Sequence, residues 1–188
     1  MTNAHERKKQ PELVRQKLLD CAAEIAVNHG LRDVTIQAVA DAAGVTKGGL
    51  LHHYPSRQHL EQALFDELLD RLDRDIDGFM AGDTSSRGCF TRAYVRAVTD
   101  MDWSEKHSPW AALSILTISD AASRQRWNVW LHGRLKCHEK TDSGSDLQIV
   151  RCAADGVWLA ALSESIRPQE RPDICAELIK LADKVSQS

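Results

Sequence analysis

Apolar residues recur along this chain at intervals of three and four, and nowhere does apolar/polar alternation persist long enough to predict a strand. Leu13, Leu18, Leu19, Ala22, Ile25 and Ala26 mark a first helix from Glu12 to His29, stopped by Gly30. Ile36, Val39, Ala40 and Ala43 mark a short second helix, and a third follows a break around Gly44. Pro55-Ser56 ends the third and caps a long helix from Arg57 to about Met80, with Leu60, Leu64, Leu68, Leu72, Ile76 and Phe79 along one face. Gly82-Asp83-Thr84 breaks it, and further helices are expected near residues 85–101, 109–119, 121–139, 146–166 and 172–185. Ser108-Pro109 reads as a cap followed by proline in the first turn, and Thr141-Asp142-Ser143-Gly144-Ser145 as a loop. The expected fold is therefore all-α. Three helices would form an N-terminal head over residues 1–55, and roughly six a body over residues 56–188.

The stretch TIQAVADAAGVTKGGLLHHY, residues 35–54, has the spacing of a helix-turn-helix. Thr35 stands where its oxygen satisfies an orphan amide of the first turn. Gly44 suits the position just past a helix end, where positive φ excludes most side chains. Thr46 then caps a helix whose first exposed residues are Lys47, Gly48 and Gly49. In a helix-turn-helix the second helix lies in the major groove with its N-terminal residues nearest the base edges, so small and basic residues there permit close approach. The pattern points to DNA.

These residues resemble the TetR family of one-component bacterial transcriptional regulators. Thr35, Val39, Ala40, Ala43, Gly44, Val45, Thr46, Gly48, Leu50, Tyr54, Ser56, Arg57 and Leu60 fall in register with the family pattern, over roughly residues 12–65. Leu51 and His53 depart from it, standing where the family usually has tyrosines. The resemblance implies, by position in the motif, phosphate contacts from Thr35, Gln37, Tyr54 and Arg57, and Lys47, Gly48, Gly49 and His52 near bases, with Thr46 and His53 beside them. It further implies a homodimer through the two C-terminal helices, reading double-stranded operator DNA with two-fold symmetry. Small and apolar residues between Leu147 and Ser165 (Val150, Ala153, Ala154, Gly156, Val157, Ala160, Ala161) cover more than one face, which suits either such an interface or a buried helix.

Composition narrows the setting. Of 188 residues, 43% are hydrophobic, as in a soluble globular protein, and the net charge is −3. Residues 1–60 hold eight Lys/Arg against six Asp/Glu, so this stretch is +2 and the remainder −5. Five of the eight histidines (His5, His29, His52, His53, His59) also lie there and add positive charge in acid. A chain this acidic does not bind nucleic acid by bulk charge and must use locally placed cations. Cys21, Cys89, Cys137, Cys152 and Cys175 are odd in number and form no C-x-x-C pair, so neither a disulfide framework nor a zinc ribbon is expected. The start, MTNAHERKKQPELV, reads as a flexible arm whose Arg7, Lys8 and Lys9 are groove or phosphate candidates, without the apolar core of a signal peptide. With no apolar run of membrane length, a cytoplasmic protein without membrane contact is expected.

All five tryptophans, Trp103, Trp110, Trp127, Trp130 and Trp158, fall in the body. Large rings fill cores, but five together also suit an apolar, aromatic pocket for a small-molecule effector, of the kind the resemblance implies. Asp155, beside Trp158 on one helical face, would supply a polar group for a cationic or hydroxylated ligand, or else sit exposed. His132, Cys137, His138 and Glu139 read as a solvated face rather than metal ligands, and Asp70, Asp73, Asp75 and Asp77 as surface charge among Arg71 and Arg74. Neither a metal nor another cofactor is called for, and no nucleophile elbow, phosphate loop or H-E-x-x-H argues for an enzyme. The expectation is a homodimeric repressor released from a palindromic operator by a small molecule. The alternatives are a constitutive DNA binder without effector, or a helical enzyme.

Overall fold

A computed structural model describes residues 4–99 and 109–186. Ten α-helices occupy those residues, with no strand among them: α1 Ala4–His29, α2 Ile36–Ala43, α3 Lys47–His53, α4 Arg57–Ala81, α5 Cys89–Thr99, α6 Pro109–Ser119, α7 Ala121–Cys137, α8 Glu139–Asp142, α9 Ser145–Leu162 and α10 Arg171–Ser186. Short 3-10 turns at Leu31–Asp33 and Pro168–Glu170 follow α1 and precede α10. The sequence expectation of an all-helical chain holds. α1 starts earlier than expected, running back through Pro11 to Ala4 in place of a flexible arm; the side chains of Arg7, Lys8 and Lys9 lie outside the described residues.

The chain divides into two compact units, one made of Met1–Leu68 with Lys106–Ser123, the other of Leu69–Glu105 with Arg124–Ser188. These cuts fall at other places than the 55/56 boundary expected from the motif, because the apolar row of α4 continues unbroken past it. Leu60, Leu64, Leu68, Leu72 and Ile76 recur every four residues and are all buried.

In the first unit, α1 packs on α2 and α6. Leu18, Leu19, Ala22 and Ala26 of α1 meet a core that includes Val34, Val39, Ala40, Leu50, Leu64 and Phe65. Leu13, expected on that face, is instead exposed: it precedes Leu18 by five residues, which turns it about 140° round the helix.

In the second unit α5 is the innermost helix, packed against α9 and α10, and every residue from Phe90 to Val95 is buried. Its N-terminus is capped from a distance: the Asp142 carboxylate accepts from the Thr91 amide at 2.8 Å, and the Gly88 amide donates to Thr141 O at 2.9 Å. Arg151 of α9 closes the corner, donating to Thr91 Oγ1 at 2.5 Å and Asp142 O at 3.3 Å. The helix expected near 85–101 begins only at Cys89 because the preceding loop wraps a buried guanidinium. Arg92 donates from Nε and Nη2 to the two Asp83 oxygens, at 2.8 and 3.0 Å, from Nη2 to Ser85 O and from Nη1 to Arg87 O, and its Nη1 pairs with the Asp183 carboxylate of α10 at 3.2 Å. Four of its five N–H donors are thereby hydrogen-bonded, and its charge faces two carboxylates.

Candidate nucleic-acid interface and regulatory body

Local chemistry builds the helix-turn-helix. Thr35 Oγ1 accepts from the Ala38 amide at 3.1 Å and caps α2, and Thr46 Oγ1 accepts from the Gly49 amide at 3.0 Å and caps α3. Gly44 between them has φ 68°, a left-handed conformation that glycine adopts without cost. Ser56 Oγ accepts from the His59 amide at 3.3 Å and starts α4.

α3 turns Leu50 and Tyr54 inward and leaves Lys47, Gly48, Gly49 and His52 exposed, with Leu51 and His53 half-buried at the margins. The His52 and His53 rings meet edge-on, 5.6 Å between centroids. Gln37 is exposed on α2, where its Nε2 donates to Asp41 at 2.8 Å. Thr35 is exposed as well, beyond its capping role.

Two residues expected to contact phosphate also have partners within the protein. Tyr54 is only 3% exposed, its ring lies under the Arg15 guanidinium at 5.6 Å, and its hydroxyl is buried without a hydrogen-bond partner. Burial pushes that phenol above its ordinary range. Arg57, its side chain 41% exposed, donates from Nη2 to Leu31 O at 2.7 Å, from Nη1 to Arg32 O at 3.3 Å, and from Nε to Glu61 at 2.8 Å. It ties α4 to the turn after α1. A motif position shows where a side chain starts along the chain, not which neighbour claims it.

Of the expected body residues, three tryptophans come together. Trp127 lies between Trp130 and Trp158, with centroids 5.0 and 5.5 Å apart, and Trp130 Nε1 donates to Asp73 of α4 at 2.7 Å. Trp158 is 7% exposed and its indole N–H is buried with no partner. Trp110 belongs by its backbone to α6, in the other unit, and its side chain lies outside the described residues, as does all of Trp103. Asp155 accepts a 2.5 Å hydrogen bond from the buried Tyr94 hydroxyl. Burial drives Asp155 above the ordinary carboxyl range against the pull of Tyr94 and Arg151, and drives Tyr94 well above its own.

The acidic run on α4 is more than surface charge, since Arg134 of α7 pairs with Asp77 at 2.6 Å and approaches Asp73 at 3.5 Å. Those pairings cross from α4 to α7 and have no signature in local sequence. His138 stacks on Phe90 at 5.1 Å, and no group of three or more possible metal ligands occurs among the described residues. An open groove of about 240 Å³ is lined by Asp83, Thr84, Ser85, Arg96 and Asp183 among others, with no tryptophan. No helix among the described residues is long and apolar enough to cross a membrane.

Residues 18–64 match the family model described as bacterial regulatory proteins, tetR family, and residues 88–183 the tetracyclin repressor-like C-terminal domain. The HTH-type transcriptional repressor KstR2 of Rhodococcus jostii is 40% identical over 58 residues, and that of Mycolicibacterium smegmatis 35% over 63. These stretches cover 31% and 34% of this chain, and 28% and 31% of the relatives, so less than a third of each curated relative is matched. A TetR-family transcriptional regulator from Streptomyces coelicolor has the same fold, with TM-score 0.72 and 16% identity over 100% of this chain and 95% of that one. The ketosteroid transcriptional regulator KstR2 of Mycobacterium tuberculosis superposes with TM-score 0.61 and 19% identity, covering 88% of this chain and 93% of that one. With both halves matched in register around a correctly capped helix-turn-helix, the chain belongs to the TetR family of bacterial regulatory proteins, regulators rather than enzymes.

Proposed function

We propose that this protein is a homodimeric transcriptional repressor that holds a palindromic operator and is released from it by a small molecule. The observation that carries the reading is the outward face of α3: within a capped helix-turn-helix, Lys47, Gly48, Gly49 and His52 are exposed, and neither Lys47 nor His52 is drawn into a hydrogen bond or ion pair among the described residues. Repression, rather than activation, is supported by likeness of this segment to curated repressors. Residues 1–55 would read DNA and residues 56–188 regulate. Thr35, Gln37, Thr46 and His53 flank the contact face; Tyr54 and Arg57 support it from within.

The outer faces of the last two helices support a dimer. Ile149, Leu159 and Leu181 are at least half exposed, and Cys152, Ala153 and Gly156 lie exposed between the first two on α9. A two-fold pairing of this face would bury them and set two α3 helices one turn of duplex apart. The effector reading rests on the tryptophan cluster. Trp127, Trp130 and Trp158 offer an aromatic wall, and the unpaired Trp158 N–H suits an apolar ligand carrying an oxygen acceptor. Such a ligand would act by displacing α4 and spoiling the spacing of the reading helices.

The test is a gel shift with the DNA upstream of the protein's own gene. Saturable retardation at moderate salt, competed poorly by unrelated duplex, is the expected result; equal competition by unrelated DNA would reject the repressor reading. Leu159→Glu should give a monomer by analytical ultracentrifugation and lose tight binding to the full site, and an unaltered dimer would move the interface elsewhere.

A further inference from the structure

The outward face of α3 carries few side chains. At about 100° per residue, Gly48, Gly49 and His52 lie opposite the buried Leu50 and Tyr54 and form the crest of the helix. Glycine is the poorest helix former after proline, so two in a seven-residue helix weaken it. The fold does not ask for Gly48: its φ is not positive, and a Cβ there would meet nothing within 4 Å. Gly49 is partly accounted for, since a Cβ would stand 3.2 Å from the capping Thr46 Oγ1. What the missing side chain at 48 supplies is room outside the protein. One turn on from Gly48, His52 is then the single side chain at the crest, exposed and free of hydrogen bonds among the described residues.

We infer that His52 is the sequence-reading residue of this protein, donating an imidazole N–H to N7 of a guanine in each half-site while Gly48 lets the helix backbone close on the major groove. This rests on the DNA-binding function proposed above. Guanine is the purine whose major-groove edge offers acceptors alone, N7 and O6, so nothing on it opposes an N–H donor; adenine sets an amino group beside its N7, and thymine a methyl group beside its single acceptor O4. Lys47 has a different task. It lies five residues before His52, about 140° round the helix, and its flexible ammonium is a point charge suited to phosphate, which carries no sequence information.

The test is selection from a duplex pool randomised over about twenty base pairs, two turns of DNA. Wild type should enrich a two-fold motif with one invariant G·C pair in each half. His52→Ala should enrich the same spacing with that pair no longer fixed, and bind the wild-type site about tenfold more weakly. Placing 7-deazaguanine at that pair should weaken wild type by a similar factor and leave His52→Ala unchanged. Gly48→Ala should melt at a higher temperature yet bind the motif at least about tenfold more weakly, a combination that loss of fold cannot produce. If His52→Ala still fixes the same guanine, or 7-deazaguanine affects both proteins alike, His52 is not the reader. If wild type enriches no motif at all, the DNA-binding function itself fails, and this assignment with it.

Discussion

Two carboxylates in the second unit, Asp83 and Asp155, meet opposite surroundings and respond to pH with opposite signs. Hydrogen bonding from Arg92 holds Asp83 below its ordinary value near 3.8, so its contribution to stability is present above that pH and lost as pH falls through the depressed value. Asp83→Asn leaves a buried guanidinium with one charged partner, Asp183, and should cost roughly 2–3 kcal/mol at neutral pH by urea denaturation, with the deficit shrinking in acid. Asp155 is raised by burial. Its favourable contribution is present below 3.8 and lost as pH rises through the raised value, so Asp155→Asn, which keeps an acceptor for Tyr94, should melt at or above the wild-type temperature at pH 7 and lose that advantage in acid. A lower melting temperature at pH 7 would show that the ionised form is needed by Arg151. At the proposed interface, Lys47→Ala should weaken operator binding uniformly across sequences and reduce the salt slope by about one, as removal of one phosphate contact does. Unchanged affinity and slope would leave Lys47 pointing into solvent.

Among the elements, α3 depends most on its cap. With seven residues it is too short to hold itself, and two of those are glycines, so the Thr46 hydroxyl and the inward anchors Leu50 and Tyr54 keep it formed. Thr46→Ala should cost about 1 kcal/mol in thermal melting while Thr46→Ser costs much less, because serine keeps the oxygen on the Gly49 amide. Equal losses would trace the effect to packing of the threonine methyl. α5 is capped differently. Its cap comes from Asp142, some fifty residues away in sequence and buried, so its start is stabilised only when α8 and α9 are already in place.

For the molecule as a whole, a regulator of the kind proposed couples two sites, and the coupling must be reciprocal. Trp127, Trp130 and Trp158 lie in the second unit and Trp110 on α6 of the first, so intrinsic fluorescence reports chiefly on the cluster of three and no tryptophan lies on α3 itself. A true effector should alter emission saturably and release DNA over the same concentrations, and bound operator should weaken the effector by the same factor. Trp127→Ala that abolishes release yet keeps DNA affinity would place the cluster in the pocket; simple loss of stability would place it in the core. A compound that binds without moving the operator equilibrium favours neither state and is no effector.

The head was legible because its determinants are local: a hydroxyl cap acts within three residues, a left-handed glycine at its own position, and apolar periodicity within one helix, so the helix-turn-helix and the row along α4 can be read from spacing alone. The sequence also indicated which residues start out along α3. It did not indicate that Tyr54 turns inward beneath Arg15, that Arg57 is taken by the carbonyls of Leu31 and Arg32, or that Asp73 joins Trp130 and approaches Arg134. Each of those depends on a partner more than twenty residues away, brought close only when helices pack, and hydrogen bonding is then decided by distance and direction rather than by residue type. The cap on α5 and the pairing of Arg92 with Asp183 belong to the same class. Local chemistry made the helices, and their packing decided which polar groups face one another and which, like Lys47 and His52, remain free to face something else.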